Sequence, residues 1–245
     1  MYYIVFDLEL NQDFSSIKRK DIPSAPFEII QIGAVKLDQH FNTCGTFNRF
    51  VKPVFYKEIN PFVTGLTGIT TEQLQCEEEF PEVFRSFIDF IGDTDQVFCV
   101  WGSSDMKELF RNVEKQLLSN KQLPRKYINL QPYVSLYFNY SQKNPLRLQH
   151  AVEALKLPAG LTFHDAFNDA VYTAEIFKKI YNSFMQPKIY DPSSPAVKPR
   201  QPRKEIDTAG LINQFEKMYQ RKMSDEEKSI IQLAYKMGKT HQFLK

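Results

Sequence analysis

Cysteine is scarce in this chain, with three copies among 245 residues. Cys44, Cys76 and Cys99 are odd in number and show no CxxC spacing, so the sequence indicates neither a disulfide framework nor a zinc site. We interpret the three side chains as small buried hydrophobic groups.

The sequence also lacks long apolar runs. No stretch approaches the roughly 18 uninterrupted apolar residues of a membrane span. The N-terminus shows no basic region followed by an apolar one, as a secretory signal would. We therefore expect a cytoplasmic protein with no membrane partner. Its hydrophobic fraction of 42% is ordinary for a globular protein, and its length suffices for one large domain with an extension.

Neither sign of charge predominates over the whole chain, whose formal net charge is +2. The distribution is uneven, because residues 186–245 hold 12 Lys/Arg against 7 Asp/Glu, whereas residues 1–185 hold 19 against 22. An acidic body with a basic tail is typical of a metal-binding domain joined to a segment attracted to polyanions. A basic tail is also a common solubilising feature.

Two acids lie within the first predicted strand, residues 3–10. Side chains alternate across a strand with a period of two, so Asp7 and Glu9 are expected to project from the same face. The opposite face is predicted to carry the apolar side chains of Ile4, Phe6, Leu8 and Leu10.

The acid pair has two interpretations. An apolar flank favours a strand inside a sheet, where buried carboxylates cost roughly several kcal/mol each unless a cation or a proton compensates. Mg²⁺ and Mn²⁺ fit that need because they take oxygen ligands. Alternatively, the strand ends here and both acids are solvated beyond a sheet edge.

Strands come early in the chain and helices dominate later, which predicts an α/β sheet with helices on its faces. Loops are predicted over 11–26 and 53–68, where prolines and glycines interrupt the pattern, and the segment Thr70-Thr71-Glu72 offers a helix cap before Leu74. Further strands are predicted over 28–37, 45–51, 96–101 and 127–130. Helical periodicity predicts helices over 81–91, around 109–117, over 146–157 and over 165–184.

A linker rich in proline and basic residues is predicted over 186–205. It divides the chain into a main domain, 1–185, and a helical C-terminal extension, 206–245. Two short amphipathic helices are predicted in the extension, over 207–222 and 224–237. The second has a capping box from Ser224 to Glu227 and is expected to end at Gly238.

Further carboxylates are expected near the strand acids if these bind metal. Asp105 follows the fourth predicted strand, at the strand end where sites on α/β sheets gather. It is alternatively an early-turn acid favoured by the helix dipole. Asp169 lies in the first turns of the helix over 165–184, and His164 precedes that helix and is expected to reach the same end from a loop. A histidine beside a phenylalanine is also commonly structural.

Three motifs, FDLEL, WGSSDMKEL and HDAFNDA, occur in this order and resemble those of the DEDDh branch of the 3′-to-5′ exonucleases. The segments EIIQIGAVKLD and VTGLTGIT are similar to that family as well, so the resemblance covers about residues 1–184. The histidine of the third motif, which precedes its aspartate with four residues between them, distinguishes this branch from the one that uses tyrosine. Among subgroups, the chain is most similar to the RNA-trimming and bacterial sporulation-inhibitor-type exonucleases.

The resemblance implies a ribonuclease H-like fold, with a mixed five-stranded sheet flanked by helices. It implies two Mg²⁺ or Mn²⁺ ions as cofactors and His164 as the general base. The implied metal ligands are Asp7, Glu9, Asp105 and Asp169. Proofreading members usually continue the first motif with threonine, where this chain has Leu10 and Asn11. This departure concerns the contact with the 3′ end and a role in DNA proofreading, and not the metal site.

The implied activity is metal-dependent 3′-to-5′ hydrolysis of single-stranded RNA or DNA ends, with RNA favoured. Residues beside the motifs are expected to wedge or stack against terminal bases, although they would serve equally well in the core: Leu8, Leu10, Leu66, Thr67 and Met106. One alternative is a non-catalytic regulator that binds nucleic acid or protein on the same fold. Another is degradation of very short oligoribonucleotides. The tail is expected either to dock a partner through its helices or to contact nucleic acid through Lys198, Arg200, Arg203 and Lys204.

Overall fold

The computed structural model describes residues 1–12, 27–92, 95–140, 145–158, 160–182, 184–193 and 207–239, with side chains up to residue 235. The chain forms two compact units, Met1–Ser194 and Pro195–Lys245. Of the predicted loop 11–26, Asn11 and Gln12 belong instead to the first strand, whose pairing continues to Gln12. Residues 13–26 and most of the predicted linker 186–205 lie outside the described residues, as do four of the five basic residues of that linker.

The first unit is built on a six-stranded mixed sheet with the order β3-β2-β1-β4-β5-β6. β1 pairs antiparallel with β2, and β2 with β3. On the other side, β4 lies parallel to β1 and β5 parallel to β4, and β6 closes the sheet antiparallel to β5. The strands are β1 (Tyr2–Gln12), β2 (Phe27–Leu37), β3 (Thr43–Phe50), β4 (Gln96–Val100), β5 (Lys126–Asn129) and β6 (Lys188–Ile189).

The predicted mixed sheet flanked by helices is confirmed, and all five predicted strands are present. The sixth strand was not predicted, because two residues after Pro187 show no strand periodicity. It forms by pairing Ile189 with Lys126 at the outer edge of β5. The first residues of the range predicted as linker therefore still belong to the sheet. The exact division into domains stays a prediction.

Seven helices are described in the first unit, and one of them corrects the predicted loop over 53–68. Pro61 occupies the first turn of α1, Asn60 caps it, and Gly68 ends it in the left-handed region with φ 76°. The two breakers thus mark the ends of a short helix. The helices are α1 (Pro61–Thr67), α2 (Thr71–Leu74), α3 (Phe80–Ile91), α4 (Ser104–Lys115), α5 (Gln131–Tyr137), α6 (Leu148–Ala154) and α7 (Ala166–Ile180).

The hydrophobic core lies on both faces of the sheet. Ile4, Phe6 and Leu8 pack with α3 and α4 on one face, as the alternation predicted. Tyr3 and Val5 pack with α7 on the other face. The cysteines were predicted to be buried, and this is wrong for two of them. Cys99 in β4 is buried by packing on both faces of the sheet, whereas Cys44 in β3 and Cys76 after α2 are exposed.

Over residues 207–239, the part of the second unit that is described, the chain forms two helices, α8 (Thr208–Tyr219) and α9 (Asp225–Lys239), close to the predicted spans. The capping box is present: Ser224 Oγ accepts from the backbone N–H of Glu227 (3.3 Å), and Glu227 Oε2 accepts from the backbone N–H of Ser224 (2.8 Å). α9 continues past the predicted end at Gly238 to Lys239. Within the described ranges, none of the helices combines the length and the apolar character needed to cross a membrane.

Candidate active site

Two acids lie side by side on β1, in the middle of the sheet. Asp7 and Glu9 pair with Gly33 and Gln31 of β2 across the antiparallel ladder. Glu9 is 9% exposed. Because β1 continues to Gln12, both acids lie within a paired strand rather than beyond its end.

A third acid comes from the first turn of α7. One carboxylate oxygen from each of Asp7, Glu9 and Asp169 lies within 4.8 Å of the other two. α7 approaches the sheet at Gly33, where a Cβ atom would lie 2.2 Å from the backbone carbon of Ala166. A side chain at this position of β2 would therefore push α7 away and move Asp169 from the strand acids.

A buried glutamine, which the sequence does not mark as a site residue, anchors the start of α7. Gln31 Nε2 donates to Asp165 Oδ2 (3.0 Å), and Gln31 Oε1 accepts from the backbone N–H of Ala166 (3.2 Å). Asp165 caps α7 by accepting from the backbone N–H of Asn168 (2.9 Å). Gln31 lies directly opposite Glu9 in the ladder, so one cross-strand pair holds both a site acid and the helix that carries the third acid.

The fourth acid comes from the first turn of α4. Asp105 is 8% exposed and follows β4, which runs parallel to β1. It lies outside the group within 4.8 Å, but its repulsion contributes to the raised pKa of Asp7. One turn later Glu108 is a further buried acid, with Oε1 3.1 Å from Nη1 of Arg111. The structure thus brings all four predicted acids to one region.

Burial is the largest cause of a raised pKa at each of the four acids. The pKa reaches about 8 at Glu9, about 7 at Asp105 and about 6 at Asp169. At Asp7, burial raises the pKa well above its ordinary value, and repulsion by the other acids raises it further. Without a compensating cation, this region therefore retains protons near neutral pH.

The acidic region fits a divalent cation. Hard cations take carboxylate oxygens as ligands, and their positive charge offsets the repulsion that raises these pKa values. Oδ1 of Asp169 is buried and accepts no hydrogen bond from the part of the chain that the structure describes. A free, buried ligand oxygen beside two further carboxylates is what a bound cation requires.

His164 lies on the loop that leads into α7. Its backbone N–H donates to Asp169 Oδ2 (3.3 Å), and its φ of 63° places it in the left-handed region, which is strained for a residue with a Cβ atom. Tyr172 fastens this loop to α7, because its hydroxyl donates to the carbonyl of Leu161 (2.8 Å) and accepts from the same residue's N–H (2.9 Å). The histidine is exposed to solvent. It is thus held next to the acids on an accessible loop.

Three of the apolar residues predicted near the substrate belong to the core. Leu8 and Met106 are buried in the cluster between the sheet and α4, and Leu10 packs against that cluster. For these three residues the structure therefore supports a place in the core and not contact with the terminal bases.

The other two residues lie on α1. Leu66 is 44% exposed, and Phe62, one turn earlier, is 67% exposed. Thr67 closes the helix, because its hydroxyl donates to the carbonyl of Val63 (2.9 Å) and accepts from the N–H of Ile69 (3.1 Å). The sequence does not mark Phe62, because Pro61, Gly65 and Gly68 indicate a loop and conceal the helical spacing of Phe62 and Leu66.

Comparison with known proteins places the site in a family context. A family model described as exonuclease, of the RNase T type, matches residues 4–177. A rat protein named 3′-5′ exoribonuclease 1 is 27% identical over 158 residues, which is 61% of this chain and 45% of the rat protein. The Caenorhabditis elegans 3′-5′ exonuclease crn-4 is 27% identical over 193 residues, 72% of this chain and 64% of that protein. The matches span less than two thirds of either relative.

Solved structures share the fold. The nuclease domain of 3′hExo, described as a DEDDh family member bound to rAMP, superposes with a TM-score of 0.64. It is 22% identical, and the match covers 78% of this chain and 96% of that domain.

Proposed function

The chain belongs to the RNase T exonuclease family, and from this premise we propose that it is a 3′-to-5′ exonuclease acting on single-stranded nucleic acid. The observation that carries the proposal is the group of Asp7, Glu9 and Asp169, with carboxylate oxygens within 4.8 Å of one another. A purely structural domain gains nothing from buried acids whose pKa values are raised by burial and by one another.

We propose Mg²⁺ or Mn²⁺ as the cofactor, two ions per site, held by these three acids and Asp105. Such ions stabilise the charge that develops on the attacking and leaving oxygens of a phosphodiester. The residues of the chain supply the remainder: two β1 acids fixed by the ladder, a third acid fixed by the approach of α7 at Gly33, and a fourth at the start of α4.

His164 is the proposed general base. An imidazole exchanges protons near neutral pH, which suits it to take a proton from the attacking water. Two features support this role: the backbone of His164 is bound to Asp169, and the residue is exposed at the loop that Tyr172 fastens. The base would therefore be accessible to substrate while staying next to the acids.

The terminal base is proposed to stack on the exposed face of α1. Phe62 and Leu66 are one turn apart on this face, and aromatic and apolar side chains bind unpaired bases without strong sequence preference. We favour RNA over DNA as substrate because relatives that match this chain carry the name exoribonuclease. Additional contact with nucleic acid is proposed for the basic tail, residues 186–245.

The test is digestion of matched, 5′-labelled single-stranded RNA and DNA oligonucleotides by the full chain with Mg²⁺, Mn²⁺ or EDTA. We expect stepwise shortening from the 3′ end that requires metal and is lost in Asp7→Ala, with RNA the faster substrate. A length series from dinucleotides upward shows whether very short oligoribonucleotides are preferred. If neither strand is shortened in a metal-dependent way, the enzymatic proposal is wrong and the fold serves as a binding regulator.

A further inference from the structure

The connection between β3 and α1 is held by two neighbouring polar residues that take no part in the acidic region. Asn11 of β1 and Glu28 of β2 are directly opposite each other in the antiparallel ladder. Both are buried, and Asn11 is 0% exposed. Buried polar side chains of this kind are costly unless they are fully hydrogen-bonded, so their partners show what they stabilise.

Glu28 binds the first half of the connection. Its carboxylate accepts from three consecutive backbone N–H groups, those of Val54 (2.6 Å), Phe55 (2.9 Å) and Tyr56 (2.8 Å). Three charge-assisted bonds to successive amides fix the backbone conformation of this segment.

Asn11 binds the second half. Its Nδ2 donates to the carbonyls of Glu58 (3.0 Å) and Tyr56 (3.4 Å), and its Oδ1 accepts from the backbone N–H of Asn60 (2.9 Å). The amide thus uses two donors and one acceptor at the same time. Aspartate has no donor when ionised, and threonine has one hydroxyl, so neither reproduces these three bonds.

A third side chain closes the connection from α4. The ammonium of Lys115 lies 3.6 Å from the ring centroid of Phe55 and 5.2 Å from that of Tyr56. Burial lowers the pKa of Lys115, and the nearby carboxylate of Glu28 opposes that effect. Side chains from three elements, β1, β2 and α4, therefore hold the connection between β3 and α1 in place.

These contacts continue into α1. Asn60, whose N–H binds Asn11, is the N-cap of α1 and accepts with its own Oδ1 from the backbone N–H of Phe62 (2.9 Å). A direct line of hydrogen bonds thus runs from Asn11, two residues beyond Glu9, to the first turn of α1. That turn carries the exposed ring of Phe62, with Leu66 one turn further on.

We propose that Asn11 is a positioning residue that sets the distance between the exposed apolar face of α1 and the acids of β1. In this way it fixes the position at which the terminal base stacks, relative to the phosphodiester that is cut. The inference rests on the proposed exonuclease function and deepens it. It also gives a role to the place where the first motif departs from the threonine usual in proofreading members.

The test compares two RNA oligonucleotides that differ only at the 3′ terminus, one with a normal nucleotide and one with an abasic residue. For the wild-type full chain we expect kcat/KM about tenfold higher with the base present, since stacking of one base on a side chain contributes at this order. In Asn11→Ala we expect this preference to fall to near one, while cleavage of the abasic oligonucleotide stays close to wild type.

A double-mutant comparison tests whether Asn11 acts through α1. Phe62→Ala should lose the same preference. Asn11→Ala combined with Phe62→Ala should lose no more than either substitution alone, because both disrupt the same stacking site. Ser135→Ala is the matched control, since the hydroxyl of Ser135 is a buried anchor of another loop, binding the N–H of Leu146 (3.0 Å). This control should keep the full preference for the terminal base.

Each outcome has a defined meaning. A wild-type chain that shortens neither oligonucleotide refutes the proposed function. A wild-type chain that cuts both equally, an Asn11→Ala variant that loses both activities to the same extent, or additive losses in the double variant overturn the positioning role alone. If Asn11→Ala does not fold, Asn11→Thr introduces a β-branched residue that suits a strand and retains one polar group, a hydroxyl, for hydrogen bonding. We then expect about half of the preference, on a logarithmic scale, to remain.

Discussion

At the scale of single residues, the acidic region links protonation to stability. Its carboxyl groups have raised pKa values in the folded chain, about 8 at Glu9 and about 7 at Asp105, against ordinary values near 4. The folded state therefore binds more protons than the unfolded chain between these limits. Stability from this source is complete below about pH 4 and is lost as the pH rises through about 6 to 8.

We expect the thermal midpoint of the metal-free protein, measured in EDTA by circular dichroism, to decrease as the pH is raised from 5 to 8.5. Excess Mn²⁺ should restore it at pH 8.5, because a bound cation replaces the protons. In Asp7→Asn, one charge of the cluster is absent, so the decline with pH should be shallower and the effect of Mn²⁺ smaller. A midpoint that rises with pH in EDTA would contradict these pKa directions.

His164→Ala should lower kcat by about a hundredfold, since a positioned general base contributes at this order. The thermal midpoint should change little, because the side chain is exposed. The measurement is single-turnover cleavage of labelled RNA across pH 5.5 to 9. His40→Ala, in the exposed turn between β2 and β3, is the matched control. Full activity of His164→Ala with unchanged metal dependence would show that another group is the base.

The acids could be predicted because strand alternation and motif order constrain them, whereas their supports could not. Asp7 and Glu9 are spaced for one face of a strand, and Asp169 opens a helix. Gln31 and Asn11 act through hydrogen bonds to segments far along the chain, such as the contact between Gln31 and Asp165. No local pattern in one sequence encodes partners at that separation.

At the scale of elements, the packing of α7 on β2 depends on Gly33. Gly33→Ala should lower the free energy of unfolding by about 1–3 kcal/mol or more, because the added Cβ meets the backbone of Ala166. Cleavage should fall as well, since α7 carries Asp169. Both follow from urea titration and RNA cleavage of the same preparation.

Gly65→Ala is the stability control for this experiment. Gly65 lies in α1, and an added Cβ there meets no atom within 4 Å. This change should therefore be neutral or stabilising by up to about 1 kcal/mol. Equal destabilisation by both substitutions would mean that the close approach of α7 does not limit stability.

The sequence predicts the elements whose apolar residues repeat with a clear period. It does not predict short elements that depend on a cap or on pairing with another strand. β1, β2 and α3 have alternating or helical apolar patterns that mark their faces. The sequence does not reveal α1, because Pro61 and Gly68 also indicate a loop, although they are the first residue and the cap of this helix. β6 exists only through its pairing with β5, which no pattern of two residues can reveal.

At the scale of the whole molecule, we expect the chain to be separable after residue 193, beyond β6. A protein of residues 1–193 should keep its thermal midpoint and its activity on short oligonucleotides. Its affinity for longer RNA should be weaker, and the dependence of log Kd on log salt concentration shallower, since fewer cations contact phosphates. Fluorescence anisotropy at several salt concentrations measures both.

The matched control is the full chain with Lys198, Arg200, Arg203 and Lys204 changed to glutamine. If these four cations bind RNA, it should lose as much salt dependence as the truncated protein. Loss of affinity in the truncated protein alone would instead assign the tail's role to α8 and α9. Unchanged binding in both proteins would remove the tail from RNA recognition altogether.

The spacing of the functional side chains along β1 has a consequence for how faithfully the protein must fold. Asp7, Glu9 and Asn11 occupy alternate positions of one strand, and of the two residues between them Leu8 is core and Leu10 packs against the core. A slip of one residue in pairing would turn all of them to the wrong side together. Misregistered molecules would therefore be wholly inactive rather than partly impaired, so the active fraction of a preparation, titrated in a single turnover, would count its correctly folded molecules.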